Sequence, residues 1–95
     1  MIHHDKIKKI LDYLKSEFPD QGVEYKYDDD RKAEIFTPHI EDHTVIITVL
    51  EEFFNDNNAD EIKKKLKDFR LIEFTRHGWT KQIVVTKFGL MLEDY

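Results

Sequence analysis

The chain contains 95 residues and carries a formal net charge of −5, with 40% hydrophobic and 13% aromatic residues. This apolar content supplies one core, so we predict a single domain over residues 1–95 and exclude a disordered tail. The absence of cysteine excludes disulfides, thiol nucleophiles and cysteine-bound metals. No apolar run has membrane-spanning length and the first residues do not resemble a signal peptide, so we expect no membrane contact and a cytoplasmic location.

The first segment has the apolar periodicity of a helix. Its apolar residues recur at spacings of three and four: Ile7, Ile10, Leu11, Leu14 and Phe18. Asp5 is a candidate N-cap for this helix. Pro19 ends it, because the residue before a proline is disfavoured in the helical region.

Three strand-like runs follow. Val23–Tyr27 alternates apolar and polar residues, and Ala33–Thr37 does the same before Pro38 closes it. Val45–Leu50 is rich in β-branched residues and apolar on both faces, which predicts a central strand. The next run, Glu51–Asn57, fits either a continued strand or a helical turn.

A second helix is indicated by Asn58 and Glu61, which have capping-box spacing. Its apolar face consists of Ile62, Leu66 and Phe69. The last third resembles a hairpin with strands at Leu71–Phe74 and Ile83–Phe88 and a turn at Arg76–Trp79. Leu90–Leu92 then forms a short terminal turn.

The predicted order is therefore α-β-β-β-α-β-β. Short links between strands favour antiparallel neighbours, and two amphipathic helices need a shared apolar surface. We predict an α+β, two-layer single domain with an antiparallel sheet of about five strands and two helices on one face. A competing interpretation takes residues 44–66 as two helices, after which the C-terminal part resembles the wing of a winged-helix domain. It is disfavoured because Lys67 and Asp68 leave no room for a separate recognition helix.

No constellation of residues indicates catalysis. The only serine, Ser16, lies inside the first helix, and the three glycines are too far apart for a phosphate-binding loop. We therefore expect a non-enzymatic protein without a cofactor or a small-molecule substrate. The segment His39–His43 gathers two imidazoles and two carboxylates, a composition that can bind zinc or nickel. A solvated loop between strands explains the same residues, and we predict no metal site.

A nucleic-acid interface is one functional hypothesis. Residues 1–60 hold 7 basic and 15 acidic side chains, whereas residues 61–95 hold 8 basic and 5 acidic ones. Cations neutralise phosphates and an exposed indole stacks on an unpaired base, so a basic helix followed by a Trp-containing hairpin suits nucleic acid. The candidate residues are Lys63, Lys64, Lys67, Arg70, Arg76, His77, Trp79 and Lys81.

Protein–protein contact is the leading hypothesis. Two helices cover only one face of such a sheet, so aromatic side chains are expected on the open face, and patches of this kind mark protein interfaces. The candidate binding residues are Tyr25, Tyr27 and Phe36. Self-association through that face or through an edge strand is the expected outcome, which makes a homodimer the first partner to test. The acidic first hairpin adds a surface suited to a basic partner protein.

Overall fold

A computed structural model describes residues 4–19, 22–40, 43–76 and 82–93 of the chain. Within these residues the elements follow in the order α1 (His4–Glu17), β1 (Val23–Asp28), β2 (Ala33–Ile40), β3 (His43–Thr44), β4 (Ile46–Leu50), α2 (Glu51–Asp56), α3 (Ala59–Asp68), α4 (Leu71–Arg76), β5 (Gln82–Thr86) and β6 (Gly89–Glu93).

The strands form one mixed sheet in the order β1-β2-β4-β5-β6, and β3 also pairs with β2. All neighbours are antiparallel except β4 and β5, which are parallel. The strands β3 and β4 lie on β2 in the same register and are separated only at Val45. That register places Val45 opposite Pro38, which has no N–H to donate to the ladder. The proline therefore accounts for the interruption.

One face of the sheet packs against the helices. The central side chains of this face are Phe36, Ile47, Val49, Ile83 and Val85. They belong to the same buried cluster as the apolar stripes of α1 and α3 and the aromatic pair of α2. Side chains alternate along a strand, so the residues between them point to the opposite face, which we call the open face. The predicted α+β, two-layer architecture is confirmed.

The two predicted helices are present. The helix α1 ends at Glu17, two residues before Pro19, and Asp5 lies inside its first turn rather than at the N-cap. At α3, the Asn58 side chain accepts from the Glu61 amide at 2.8 Å, and the Glu61 carboxylate accepts from the Asn58 amide at 2.9 Å. This reciprocal pair is the predicted capping box.

The prediction of a strand at Leu71–Phe74 is wrong, because these residues begin α4. Leu71 and Thr75 are buried one helical turn apart, and the Thr75 hydroxyl donates to the Leu71 carbonyl at 2.7 Å. Arg70, with φ of 61°, separates α4 from α3. The link between β4 and β5 is therefore a long helical crossover, which permits the parallel pairing that short links exclude. The sheet is mixed and not purely antiparallel for this reason.

The structure decides between the two interpretations of Glu51–Asn57 and revises the prediction for the end of the chain. Glu51–Asp56 is helical because Phe53 and Phe54 both turn into the core. The final hairpin joins β5 and β6 through Lys87 and Phe88, so Leu90–Leu92 belongs to a strand and not to a terminal turn. The predicted turn beyond Arg76 lies outside the described residues. The two-helix interpretation of residues 44–66 is wrong at β4, which is a sheet strand.

Candidate functional site

The outer edge of β6 is the least protected surface of the sheet. In the described part of the chain, β6 pairs with β5 on one side and with no strand on the other. Met91 is 57% exposed and Leu92 is 44% exposed, and no charge occurs between Gly89 and Leu92. An exposed, uncharged edge strand is a template for pairing with another chain, which soluble proteins usually block with charges. We call Gly89–Glu93 the β6 edge.

The opposite edge of the sheet, β1, has a different character. It carries a charge at Glu24, Lys26 and Asp28, and these alternate with the two tyrosines Tyr25 and Tyr27. Charged side chains, lysine in particular, discourage strand addition at an edge. This edge therefore offers side chains for recognition and is poorly suited to backbone pairing.

A buried carboxylate lies behind the two tyrosines. Glu34 is only 6% exposed, whereas Tyr25 and Tyr27 are 40% and 48% exposed. Glu34 is directly opposite Tyr27 in the strand register, and its carboxylate accepts a hydrogen bond from the Tyr25 hydroxyl. Burial, and then this bond to Glu34, raise the pKa of Tyr25 well above its usual value. We call Tyr25, Tyr27 and Glu34 the tyrosine site.

The expectation that Tyr25, Tyr27 and Phe36 lie on the open face is wrong. Phe36 is fully buried in the core between sheet and helices, and Tyr25 lies opposite it with ring centroids 5.3 Å apart. Directly opposed residues share a face, so both tyrosines extend from the helix-covered face at the edge of the sheet. Phe36 therefore supports this surface from below and is not itself available to a partner.

The open face is more polar than predicted. It contains a groove of about 440 Å³ whose floor includes Ile35, Thr37, Ile46 and Thr48. The Thr48 hydroxyl is buried and accepts or donates no hydrogen bond within the described residues. The groove rim carries charges of both signs, and no Phe, Tyr or Trp lines the groove among the described residues, so the expected aromatic patch is absent from this part of the face.

Three of the predicted nucleic-acid residues come together with a fourth lysine. Lys63, Lys64 and Lys67 line a shallow pocket of about 280 Å³ on α3, and Lys9 of α1 closes its other side. Lys9 lies 3.3 Å from Asp60, an acidic residue in the middle of this group. We call Lys9, Lys63, Lys64 and Lys67 the lysine cluster.

The remaining predicted nucleic-acid residues do not extend this cluster. Arg76 donates to the backbone carbonyl of Glu17 at 3.1 Å and lies over the Phe18 ring, 5.3 Å from its centroid. It therefore fixes α4 to the end of α1. Arg70 is exposed in the turn between α3 and α4. His77, Trp79 and Lys81 lie outside the described residues.

The histidine segment forms no ligand set within the described residues. His39 lies 3.4 Å from Glu24 on the neighbouring strand. Within the described residues, no three His, Asp or Glu side chains converge as metal ligands, and Glu41 and Asp42 lie outside these residues. No helix in the described part of the chain is long and apolar enough to cross a membrane.

Comparison with protein-family models, with curated proteins and with solved structures gives no match to this chain. The candidate surfaces therefore depend on geometry alone. Sequence reasoning missed Glu34, Lys9 and the β6 edge. The first two are visible only once strands and helices are paired. The edge has a sequence signal, the apolar run Leu90–Leu92, which the prediction of a terminal turn concealed.

Proposed function

We propose that this chain is a small non-enzymatic interaction protein that acts through protein–protein contacts, and that its first partner is a second copy of itself. The β6 edge supports this proposal most strongly. Met91 and Leu92 are exposed there beside an unpaired strand edge in the described part of the chain. Pairing of this edge satisfies backbone groups and removes apolar surface from water in one step.

The strand is complementary to itself in one register. When two copies of β6 run antiparallel about a two-fold axis perpendicular to the sheet, Met91 faces Met91 of the second copy. Leu90 then faces Leu92 of the second copy, and Leu92 faces Leu90 of the second copy. Leu90 and Leu92 lie on the helix-covered face because they oppose Val85 and Ile83 of β5. Both helix layers therefore stay on the same side of a continuous sheet, and the contact is isologous and closed.

The expected dimer is concentration-dependent. A strand pair of this length, with a few apolar side chains around it, falls at the small end of interface sizes, below about 1,200 Å². Each chain also carries a net charge of −5, which opposes association at low salt. The account therefore predicts a reversible equilibrium between monomer and dimer.

Light scattering coupled to gel filtration tests the proposal across a range of protein concentrations. The wild-type mass should rise from monomer to dimer. Met91→Lys and Leu92→Lys should each weaken association about tenfold or more, which corresponds to about 1.4 kcal/mol. The first variant places two lysines opposite each other across the interface, and the second places a lysine among apolar side chains.

The matched control is Tyr27→Lys, which replaces an aromatic residue of similar exposure at the opposite edge. Its dimerisation should equal that of the wild type. A wild-type chain that stays monomeric at every concentration, or an equal loss in the control, contradicts self-association through the β6 edge.

Nucleic-acid binding is the second candidate function. The observation in its favour is that Lys9 of α1 joins the three lysines of α3 around one pocket. Such a cluster contacts phosphates, and its binding weakens steeply as salt rises. We expect labelled oligonucleotides to bind with a salt-dependent affinity that Lys64→Glu lowers, whereas Lys26→Glu on the open face does not. Binding that ignores salt, or equal losses in both variants, excludes this candidate.

A further inference from the structure

We propose that the tyrosine site binds a lysine or arginine side chain of a partner protein. This inference does not depend on dimerisation, because the site lies on β1, at the other edge of the sheet from β6. Its basis is that two exposed aromatic rings and one buried carboxylate share a single face, which is a combination suited to a cation.

The two rings supply the first attraction. Tyr25 and Tyr27 are two residues apart on one strand, so their side chains point to the same side. A cation over the face of a tyrosine ring is attracted by the negative charge density there. The Tyr25 ring is held in place by its contact with Phe36, so little side-chain freedom remains to be lost on binding.

The carboxylate supplies the second attraction. The Tyr25 hydroxyl donates its proton to Glu34, so the lone pairs of the phenolic oxygen remain to accept an N–H. A hydroxyl that donates to a carboxylate also becomes a stronger acceptor, because hydrogen bonds in a chain polarise one another. Glu34 is too buried to hold a hydrated cation itself, but its charge acts through Tyr25 at short range.

The cations of the adjacent turn pair with acidic residues of the same hairpin. In the described residues, the ion pairs of the adjacent turn join Arg31 to Asp28 at 3.8 Å and Lys32 to Asp29 at 3.0 Å. No ion pair in the described part of the chain reaches Glu34. Lys26, between the two tyrosines in sequence, points to the open face. Lys32, which pairs with Asp29, also lies within electrostatic range of Tyr27, but no described cation forms an ion pair with Glu34. This carboxylate can therefore attract a positive group from outside.

A protein side chain is the occupant that this geometry favours. The site lies on an exposed strand edge next to the acidic turn Asp28–Asp30 and not in a closed cavity, so a ligand must be held mainly by surface outside the site. A lysine or arginine carried by a larger basic surface meets this condition, since complementary charges then orient the partner.

The test uses Nα-acetyl-lysine amide and Nα-acetyl-arginine amide as probes, in which the side chain keeps its positive charge. Tyrosine ring signals of the full-length protein are followed by NMR during titration at constant ionic strength. Both probes should shift the signals of Tyr25 and Tyr27 and saturate. N-acetyl-norleucine amide, which has no charge, should not shift them. Tetramethylammonium tests whether the site instead prefers a small quaternary ammonium ion. It should bind no more tightly than the lysine probe.

Three variants locate the contact. Tyr27→Ala and Glu34→Gln should each weaken binding about threefold or more, while Glu24→Gln, a carboxylate on the same edge but the opposite face, should have no effect. Glu34→Gln retains an acceptor for Tyr25, so the fold is preserved, and circular dichroism checks this. An absence of saturable shifts, equal shifts with the norleucine probe, tighter binding of tetramethylammonium, or an equal loss in Glu24→Gln would each overturn the proposal.

Discussion

The two edge strands of the described sheet, β1 and β6, differ in the charge of their side chains. β1 alternates charges with tyrosines, whereas β6 carries apolar side chains and no charge before Glu93. Lys26 and Met91 even end the same cross-strand row, which runs through Ile35, Thr48 and Val84. In the described part of the sheet, the charges of β1 therefore discourage the addition of another strand, whereas β6 has no charge before Glu93 that would do so.

The largest expected effect is on the free energy of unfolding, and it distinguishes the buried Phe36 from the exposed Tyr27 at the β1 edge. Phe36→Ala empties a fully buried site beneath Tyr25 and should lower the free energy of unfolding by about 3–5 kcal/mol. Tyr27→Ala removes a half-exposed side chain and should change it by only about 0.5 kcal/mol. Urea denaturation measures both. Equal losses in the two variants would show that Tyr27 is part of the core and not of a binding surface.

A smaller effect concerns the backbone at the start of the β6 edge. Gly89 has φ of +132°, a conformation that other residues rarely adopt, so Gly89→Ala should cost about 1–3 kcal/mol of stability. The matched control at the β1 edge is Gly22→Ala, since a Cβ there also meets no atom within 4 Å. It should be neutral or slightly stabilising. Equal costs at the two glycines, measured by thermal unfolding, would contradict a strained entry into β6.

The smallest expected effect is on pH dependence. Burial and the bond to Glu34 raise the pKa of Tyr25 above the usual 10.0. The stabilisation that results from the raised pKa of Tyr25 is therefore fully present below pH 10, and it is lost as the pH rises through the pKa of the folded state. Ultraviolet titration should show one late-ionising tyrosine that Tyr25→Phe removes and Glu34→Gln shifts to lower pH. A late step unchanged in both variants would place it elsewhere, for example at Tyr13, whose pKa is also raised by burial.

The sequence predicted local structure better than long-range pairing. The stripe of α1, the capping box of α3 and the strand conformation of β1 depend on neighbouring residues, and each prediction is confirmed. By sequence, Leu71–Phe74 fits the first strand of a hairpin, but in the structure Leu71, Ile72 and Thr75 are buried on one side of a helix. That error hid the crossover and the parallel pair β4–β5, whereas the prediction of a terminal turn at Leu90–Leu92 hid the strand β6.

The candidate surfaces were less predictable than the fold. Tyr25 and Tyr27 were selected from the sequence, but Glu34 joins them only through the β1–β2 register. Phe36 was selected with them and is buried, because alternation gives the faces of a strand without saying which one the helices cover. Lys9 is far from Lys64 in the sequence and meets it only where α1 packs on α3.

Amide hydrogen exchange, followed by NMR at several protein concentrations, distinguishes pairing at the β6 edge from pairing at β1. Amides of the β6 edge should become more protected as the concentration rises, whereas those of β1 should not change, and Met91→Lys should abolish the gain. Protection that is independent of concentration at β6, or that rises equally at both edges, would contradict the assignment of β6 as the pairing surface.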